Sequence, residues 1–246
     1  MHRFSERALV VSSVDYGEAD RIVTLLTQGH GKVSAFAGGA RRSKRRFAGA
    51  LEPFTLIRVE LAERRGSTVR LDSADIEKSY PGVREDLQRI ARAMYCLELC
   101  RELIREREPH PELFALLEDY LDLLDRRQAG PTSLIAFELN ALARAGLMPR
   151  FDRCALCEGA LGEAPIFDPD HGGGVCSRPA CRSRAQFGVP AAPSLLAALR
   201  SLQGGAREPL GSEQRRRARE LLNLFIAHHL GRKLNSVDFM TQVGLD

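Results

Sequence analysis

GGARRSKRR, residues 38–46, lies between KVSAFAG (32–38) and LEPFTLIRVEL (51–61), and the reading of these three stretches decides the fold. The flanking segments alternate in hydrophobicity and carry Val, Phe, Thr and Ile, as strands do. Between them, Arg41, Arg42, Lys44, Arg45 and Arg46 fall within six residues, behind two glycines and ahead of Phe47. No acidic residue stands between Asp20 and Glu52. The run therefore reads as a basic loop held between two strands.

Working outward, ALVVSSV (8–14) and RIVTLLT (21–27) are also strand-like, and Gly29-His30-Gly31 turns the second into KVSAFAG as a hairpin. A longer strand follows Pro53, and Gly66-Ser67 turns the chain into the alternating TVRLD (68–72). Five short strands in about 70 residues predict a small barrel, and an OB-type barrel, which grips single strands on one face, fits the count. An SH3-like barrel has the same pattern.

After Tyr80-Pro81-Gly82 the period lengthens. Val83, Leu87, Ile90, Met94, Leu97 and Ile104 predict one helical seam, interrupted at Arg101. A second amphipathic helix carries Leu113, Leu116, Leu117, Tyr120, Leu121 and Leu124, and a third runs to Gly146 with Leu134, Phe137, Leu142 and Ala145 inward. Residues 150–187 lose the period and gain Cys, Gly and Pro; helices then resume at Pro193-Ser194 and at Ser212, which reads as a cap, with Gly231 as the stop. The expectation is an α+β chain: an OB-type nucleic-acid-binding barrel over 1–80, an all-helical domain over 81–149 and 188–246, and a four-cysteine zinc module inserted at 150–187.

The composition, 44% apolar and 28% charged, predicts a packed core. The net charge of +4 is uneven: residues 1–80 hold 14 Lys and Arg against 10 Asp and Glu, and the rest of the chain balances. Such asymmetry points to a polyanion met by the N-terminal part. The first residues lack an apolar leader core and no window has the run of about 18 apolar residues that spans a bilayer. A cytoplasmic, reducing compartment is expected, where the six cysteines serve as metal ligands or buried thiols rather than disulfides.

Cys154, Cys157, Cys176 and Cys181 are spaced C-x2-C and C-x4-C across a short loop, the pattern of a four-thiolate zinc site. With all four positions taken the ion would be structural, and it would help fold a segment poor in large apolar residues. A redox C-x-x-C lacks its βαβ surroundings here, and His171 reads as a solvated loop residue. Cys96 and Cys100 read as small buried hydrophobes on one helix face.

For nucleic acid the candidate contacts are Lys32, Arg41, Arg42, Lys44, Arg45 and Arg46, with Arg58, Arg64, Arg65 and Arg70 adding charge nearby. Arginine-rich clusters favour forked contacts to phosphate, which carry little sequence preference. Phe36, Phe47 and Phe54 are either stacking faces or core. Glu118, Asp122 and Asp125 share a helix face and read as outward charges. His228-His229 have no catalytic companion in view, and no Walker A, HExxH, GxSxG or GxGxxG pattern occurs, so nothing in the chain argues for an enzyme.

Several stretches resemble the RecO family of bacterial recombination mediators. They are Tyr16-Gly17-Glu18-x-Asp20, Gly38-Gly39-Ala40-Arg41-Arg42, Leu51-Glu52-Pro53-Phe54 and Lys78-Ser79-Tyr80. Further along come Phe137-Glu138-Leu139 leading to Gly146-Leu147-Met148-Pro149, Cys154-x-x-Cys157, and His229-Leu230-Gly231-x-x-Leu234-x-Ser236. The resemblance runs the length of the chain. It implies an N-terminal OB fold, a helical domain and a zinc module. It implies binding of single- and double-stranded DNA, annealing of complementary strands, and partnership with RecR and single-strand-binding protein in loading RecA, in the cytoplasm at the nucleoid. Two rivals stay open: an adaptor whose basic face takes an acidic protein tail, and a nuclease using the helical carboxylates.

Overall fold

The computed structural model describes residues 2–43, 45–63 and 68–245. Lys44, the charges of Arg64 and Arg65 and the expected turn at Gly66-Ser67 lie outside the described residues. By compactness the chain divides into two units, Met1–Gln128 and Ala129–Asp246.

The first unit begins with β1 (His2–Tyr16), β2 (Asp20–Thr27), β3 (Gly31–Ala37), β4 (Leu56–Glu63) and β5 (Val69–Lys78), closed into a barrel of order β1-β2-β3-β5-β4. Closure depends on the length of β1. Its first half, from His2 to Leu9, pairs with β4, while its second half, from Ala8 to Tyr16, pairs with β2. A bulge between Val10 and Ser12 bends the strand where it changes partner. The β3–β5 pair is parallel, through Ala35–Val69 and Phe36–Arg70. Alternation then decides the faces: Val23, Leu25, Val33, Ala35, Val59 and Leu71 point into the barrel.

Three strands differ from the sequence expectation. β5 runs on to Lys78 instead of ending at Asp72. β1 starts at His2 rather than Ala8, because polar residues such as Arg3, Ser5 and Arg7 can line a strand whose other neighbours are paired. Residues 51–55 are not strand: Phe54 has a left-handed φ of 60°, and β4 begins only at Leu56. Residues 38–43 and 45–55 instead fold over one end of the barrel. Phe47, Ala50 and Leu51 join the barrel core there. Burying side chains of the size of Phe47 and Leu51 contributes about 2 kcal/mol each. The basic run is therefore carried on a plug rather than on a free loop.

The same unit holds α1 (Pro81–Arg84), α2 (Leu87–Leu103) and α3 (Pro111–Asp125). The expected seam is only in part the buried side. Val83, Leu97 and Ile104 are buried as expected, but Leu87 and Met94 are exposed, and Ala93, Tyr95, Cys96, Leu99 and Cys100, off the seam, are buried as well. A helix covered on several sides loses the one-sided pattern from which a seam is read. Cys96 and Cys100 do behave as small hydrophobes, and burial pushes the Cys100 thiol up to about 12.

The expected helical domain begins at residue 81, but α1–α3 share a compact unit with the barrel. Specific bonds tie them to it. Glu118 and Asp122 of α3 are not outward charges: Glu118 accepts from Arg7 Nη2 at 2.9 Å and from Lys78 Nζ at 3.1 Å, and Asp122 accepts from Lys78 at 3.0 Å. Asp125 accepts from the Gly82 N–H at 2.7 Å. Arg107 forks onto Glu63 of β4. Gly31 is needed where this connection crosses β3, since a Cβ there would stand 2.1 Å from the Glu108 carbonyl oxygen.

In the second unit α4 (Ser133–Arg144) is followed by β6 (Ile166–Asp168), β7 (Gly173–Val175), α5 (Pro179–Arg182) and β8 (Val189–Pro190), then by α6 (Pro193–Gln203), α7 (Ser212–Leu230) and α8 (Ser236–Gln242). The three strands form a small sheet of order β7-β6-β8. α4, α6 and α7 pack on one another. Ser212 is the first residue of α7 and Gly211 holds the cap position; Gly231 stops the helix. α8 was not expected from the sequence, being only two turns long. Among the described residues no helix is long and apolar enough to cross a membrane.

Candidate nucleic-acid interface and metal centre

The basic run is anchored at three places. Gly39 donates its N–H to Asp20 Oδ1 at 2.7 Å, Arg41 donates its N–H to the Ala19 carbonyl at 2.9 Å, and the Arg46 carbonyl accepts from the Ala74 N–H of β5 at 3.0 Å. Gly39 has a φ of 67°, and an added Cβ would crowd the Arg46 guanidinium at 3.1 Å. The run thus lies across the β1–β2 turn, residues 17–19, at one end of the barrel.

Its cations are distributed unevenly. Arg42 and Arg45 are exposed, and Arg45 has no ion pair among the described residues. Arg46 donates to the Gly38 carbonyl at 2.6 Å and lies over the Phe47 ring at 5.0 Å, which holds its guanidinium at the surface. Arg41 donates to the Glu18 carbonyl at 3.3 Å and stands 3.4 Å from an Asp15 oxygen; Arg42 stands 3.8 Å from Glu18. Arg21 pairs with both Asp15 and Glu52. These carboxylates, remote from the run in sequence, lower its local charge. Surface pairs of such length contribute at most about 1 kcal/mol and give way to a competing anion.

Lys32 is elsewhere. Its ammonium donates to the Arg101 carbonyl at the end of α2, at 3.2 Å, near the opposite end of β3 from the run. Five residues of strand put it about 17 Å from Ala37. Arg58 pairs with Glu77 and Arg70 with Asp72. Of the three phenylalanines, Phe47 and Phe54 are core and Phe36 is half-buried on the outer face. Tyr16, quoted from the sequence only within the family resemblance and not as a contact, is exposed beside Phe36.

In the second unit Cys154, Cys157, Cys176 and Cys181 converge, their sulfurs all within 4.8 Å of one another. Cys154 and Cys157 flank a turn, Cys176 follows β7, and Cys181 sits in α5. Cys157 and Cys176 sulfurs are 3.7 Å apart. The Cys176 N–H points at the Cys154 sulfur at 3.4 Å. Burial alone would raise the Cys154 thiol, but N–H groups of Cys176, Leu156 and Cys157 draw it down to about 6; Cys181 is pushed the other way by burial and by its sulfur neighbours. Four sulfurs so placed can hold a metal ion. His171 is outside the cluster, with Nδ1 3.3 Å from Asp168. His228 faces Asp170 at 3.1 Å and His229 faces the Phe225 carbonyl.

The family model for the Recombination protein O N terminal matches residues 1–80, and that for the Recombination protein O C terminal matches residues 84–238. The chain belongs to the RecO family. It is 66% identical to the DNA repair protein RecO of Myxococcus xanthus (strain DK1622) over the full length of both chains. It is 50% identical to that of Anaeromyxobacter sp. (strain K), across 99% of this chain and 98% of the relative. The DNA repair protein RecO of Geobacter sulfurreducens is 38% identical across 99% of each. The junction between the two RecO matches, residues 80–84, falls at the change from strand to helix and not at the boundary between the compact units.

Proposed function

We propose that this RecO-family chain is a non-enzymatic mediator of DNA repair. It binds single- and double-stranded DNA with little sequence preference, anneals complementary strands, and acts with RecR and single-strand-binding protein to load RecA, at the nucleoid in the cytoplasm. The observation that carries this reading is the arginine run fixed over the barrel end, with Arg42, Arg45 and Arg46 open to solvent and Arg41 held only by surface contacts. Phosphates that replace Asp15 and Glu18 would draw two strands onto one cationic surface and reduce their mutual repulsion.

The barrel is read as OB type, over residues 1–80, on the strength of its closed five-strand order and the strand-sharing β1. The metal is read as zinc. Zinc–sulfur bonds of about 2.3 Å place tetrahedral sulfurs about 3.8 Å apart, close to the Cys157–Cys176 separation of 3.7 Å. Four thiolates leave no open position, so the ion would fold residues 150–187 without taking part in chemistry. The carboxylates that a nuclease would need, Glu118 and Asp122, are neutralised by Arg7 and Lys78.

The test is a gel-shift titration of the wild type and of a variant with Arg41, Arg42, Lys44, Arg45 and Arg46 changed to Ala, at two salt concentrations. If all five cations meet phosphate, log K against log salt has a slope of roughly −3.5 on single strands. The variant should bind all sequences more weakly and with a flatter slope. Salt-sensitive binding to an acidic peptide, with none to an oligonucleotide, would favour the adaptor instead.

A further inference from the structure

Tyr16 is 56% exposed and is the outermost aromatic ring of the barrel face formed by β1, β2 and β3. Its ring meets Phe36 edge-on, with centroids 6.1 Å apart and planes at 87°. Its hydroxyl has no hydrogen-bond partner among the described residues. Tyr80, Tyr95 and Tyr120, by contrast, are buried to within a few per cent. Phe36 continues a line across four adjacent strands on the same outer face: Val14 pairs with Ile22, Ile22 with Phe36, and Phe36 with Arg70. Val14 and Ile22 are exposed as well. An apolar line on the solvent side of a closed barrel does nothing for the barrel core.

This surface adjoins the arginine run. The Phe36 ring lies against Gly38, where a Cβ would come within 3.3 Å of it, and the Gly38 carbonyl accepts from Arg46. On the other side Arg41 is held by Asp15 and by the Gly17 and Glu18 carbonyls, the residues that flank Tyr16. Two rings are thus bracketed by two guanidinium groups within one short stretch of surface. Phosphates attract the cations, and only bases released from pairing can present a flat face to the rings.

We infer that Tyr16 and Phe36 form a stacking platform for the unpaired bases of a single strand whose phosphates run along Arg41 and Arg46. This rests on the DNA-binding reading above and goes further: it makes the barrel distinguish single strands from duplex. Duplex would meet the arginines alone.

The chain has no tryptophan, so its emission comes from four tyrosines, of which Tyr16 is the exposed one. Oligo-dT of about 15 nucleotides should quench tyrosine emission in the full chain, and the quenching should vanish in Tyr16→Ala. That variant should bind oligo-dT about tenfold more weakly, with an unchanged salt slope and with duplex affinity within about twofold of wild type. Tyr16→Phe should restore oligo-dT affinity. Equal losses on single strand and duplex would overturn the inference. So would wild-type oligo-dT affinity in Tyr16→Ala with emission unquenched in the wild type; in both cases the phosphate-binding reading would stand. Failure of the wild type to bind either nucleic acid would remove that reading, and the platform with it. Loss of self-association in Tyr16→Ala, with DNA affinity unchanged, would assign the rings to a contact between copies of the chain and overturn it too.

Discussion

Arg219 of α7 reaches Glu138 of α4 inside the second unit, and the Glu138 side chain is fully buried. Met240 of α8 closes the site, its sulfur 3.7 Å from the same guanidinium. Three helices thus converge on one buried ion pair. Glu138 stands in the Phe137-Glu138-Leu139 stretch that carried part of the family resemblance.

Replacing Glu138 with Ala leaves a buried guanidinium without its carboxylate. The expected loss is about 3–5 kcal/mol. Replacing both partners with Leu should cost clearly less. Chemical denaturation of the two variants measures the difference, and equal losses would count against a buried pair.

The network of Arg7, Lys78, Glu118 and Asp122 predicts a pH dependence. Burial acts to raise the Glu118 carboxyl, but hydrogen bonds from Arg7 and Lys78 outweigh it and hold the group below the ordinary carboxylate value. Burial likewise disfavours charged Lys78, and its bonds to Asp122 and Glu118 more than offset that. A carboxyl depressed in the folded state adds stability above its unfolded pKa and loses it as pH falls through the folded one. Glu118→Gln should therefore be less stable than wild type at pH 7, by about 2 kcal/mol. The gap should close as pH falls below about 4. A gap that persists unchanged at pH 3, by thermal melting, would contradict this.

Lys32 should matter for stability and not for DNA. Lys32→Ala removes the bond to the Arg101 carbonyl and should cost about 1 kcal/mol, while oligonucleotide affinity stays within about twofold of wild type. A fall in affinity comparable to that of Arg45→Ala would return Lys32 to the interface.

Metal content tests the four-sulfur site. Elemental analysis should find one zinc ion per chain, and Cys154→Ser or Cys181→Ser should lower it. Either variant, or chelation of the wild type, should open residues 150–187 to protease and leave the barrel unit resistant. Protease resistance of that segment after complete metal removal would show that the sheet of β6, β7 and β8 holds without an ion.

Much of the barrel is legible along the chain because its signal is local. Alternation in RIVTLLT and KVSAFAG, and the glycines that turn one into the other, act between neighbours a few residues apart. The cysteine pairs are legible for the same reason. The plug was misread because Pro53 and Phe54 look like the start of a strand, and only the barrel opening beneath them explains why they bend instead. The α2 seam is legible only in part, at Val83, Leu97 and Ile104, because burial on several sides removes the contrast that a period needs. Tyr16 gave no sign of exposure, since an aromatic near a strand end is equally at home in a core.

The amino-acid order alone determined the five strands of the barrel, most of the helices, the two cysteine pairs and the concentration of positive charge near residue 40. It could not say which carboxylates would stand beside that charge. Asp15 meets Arg41, Glu118 meets Lys78 and Glu138 meets Arg219 across 26, 40 and 81 residues of chain. Only closure of the barrel and packing of the helices brings them together. Electrostatic partnership depends on distance in space, which short-range pattern does not encode, and so the tertiary structure alone decided which arginines remain open to a ligand.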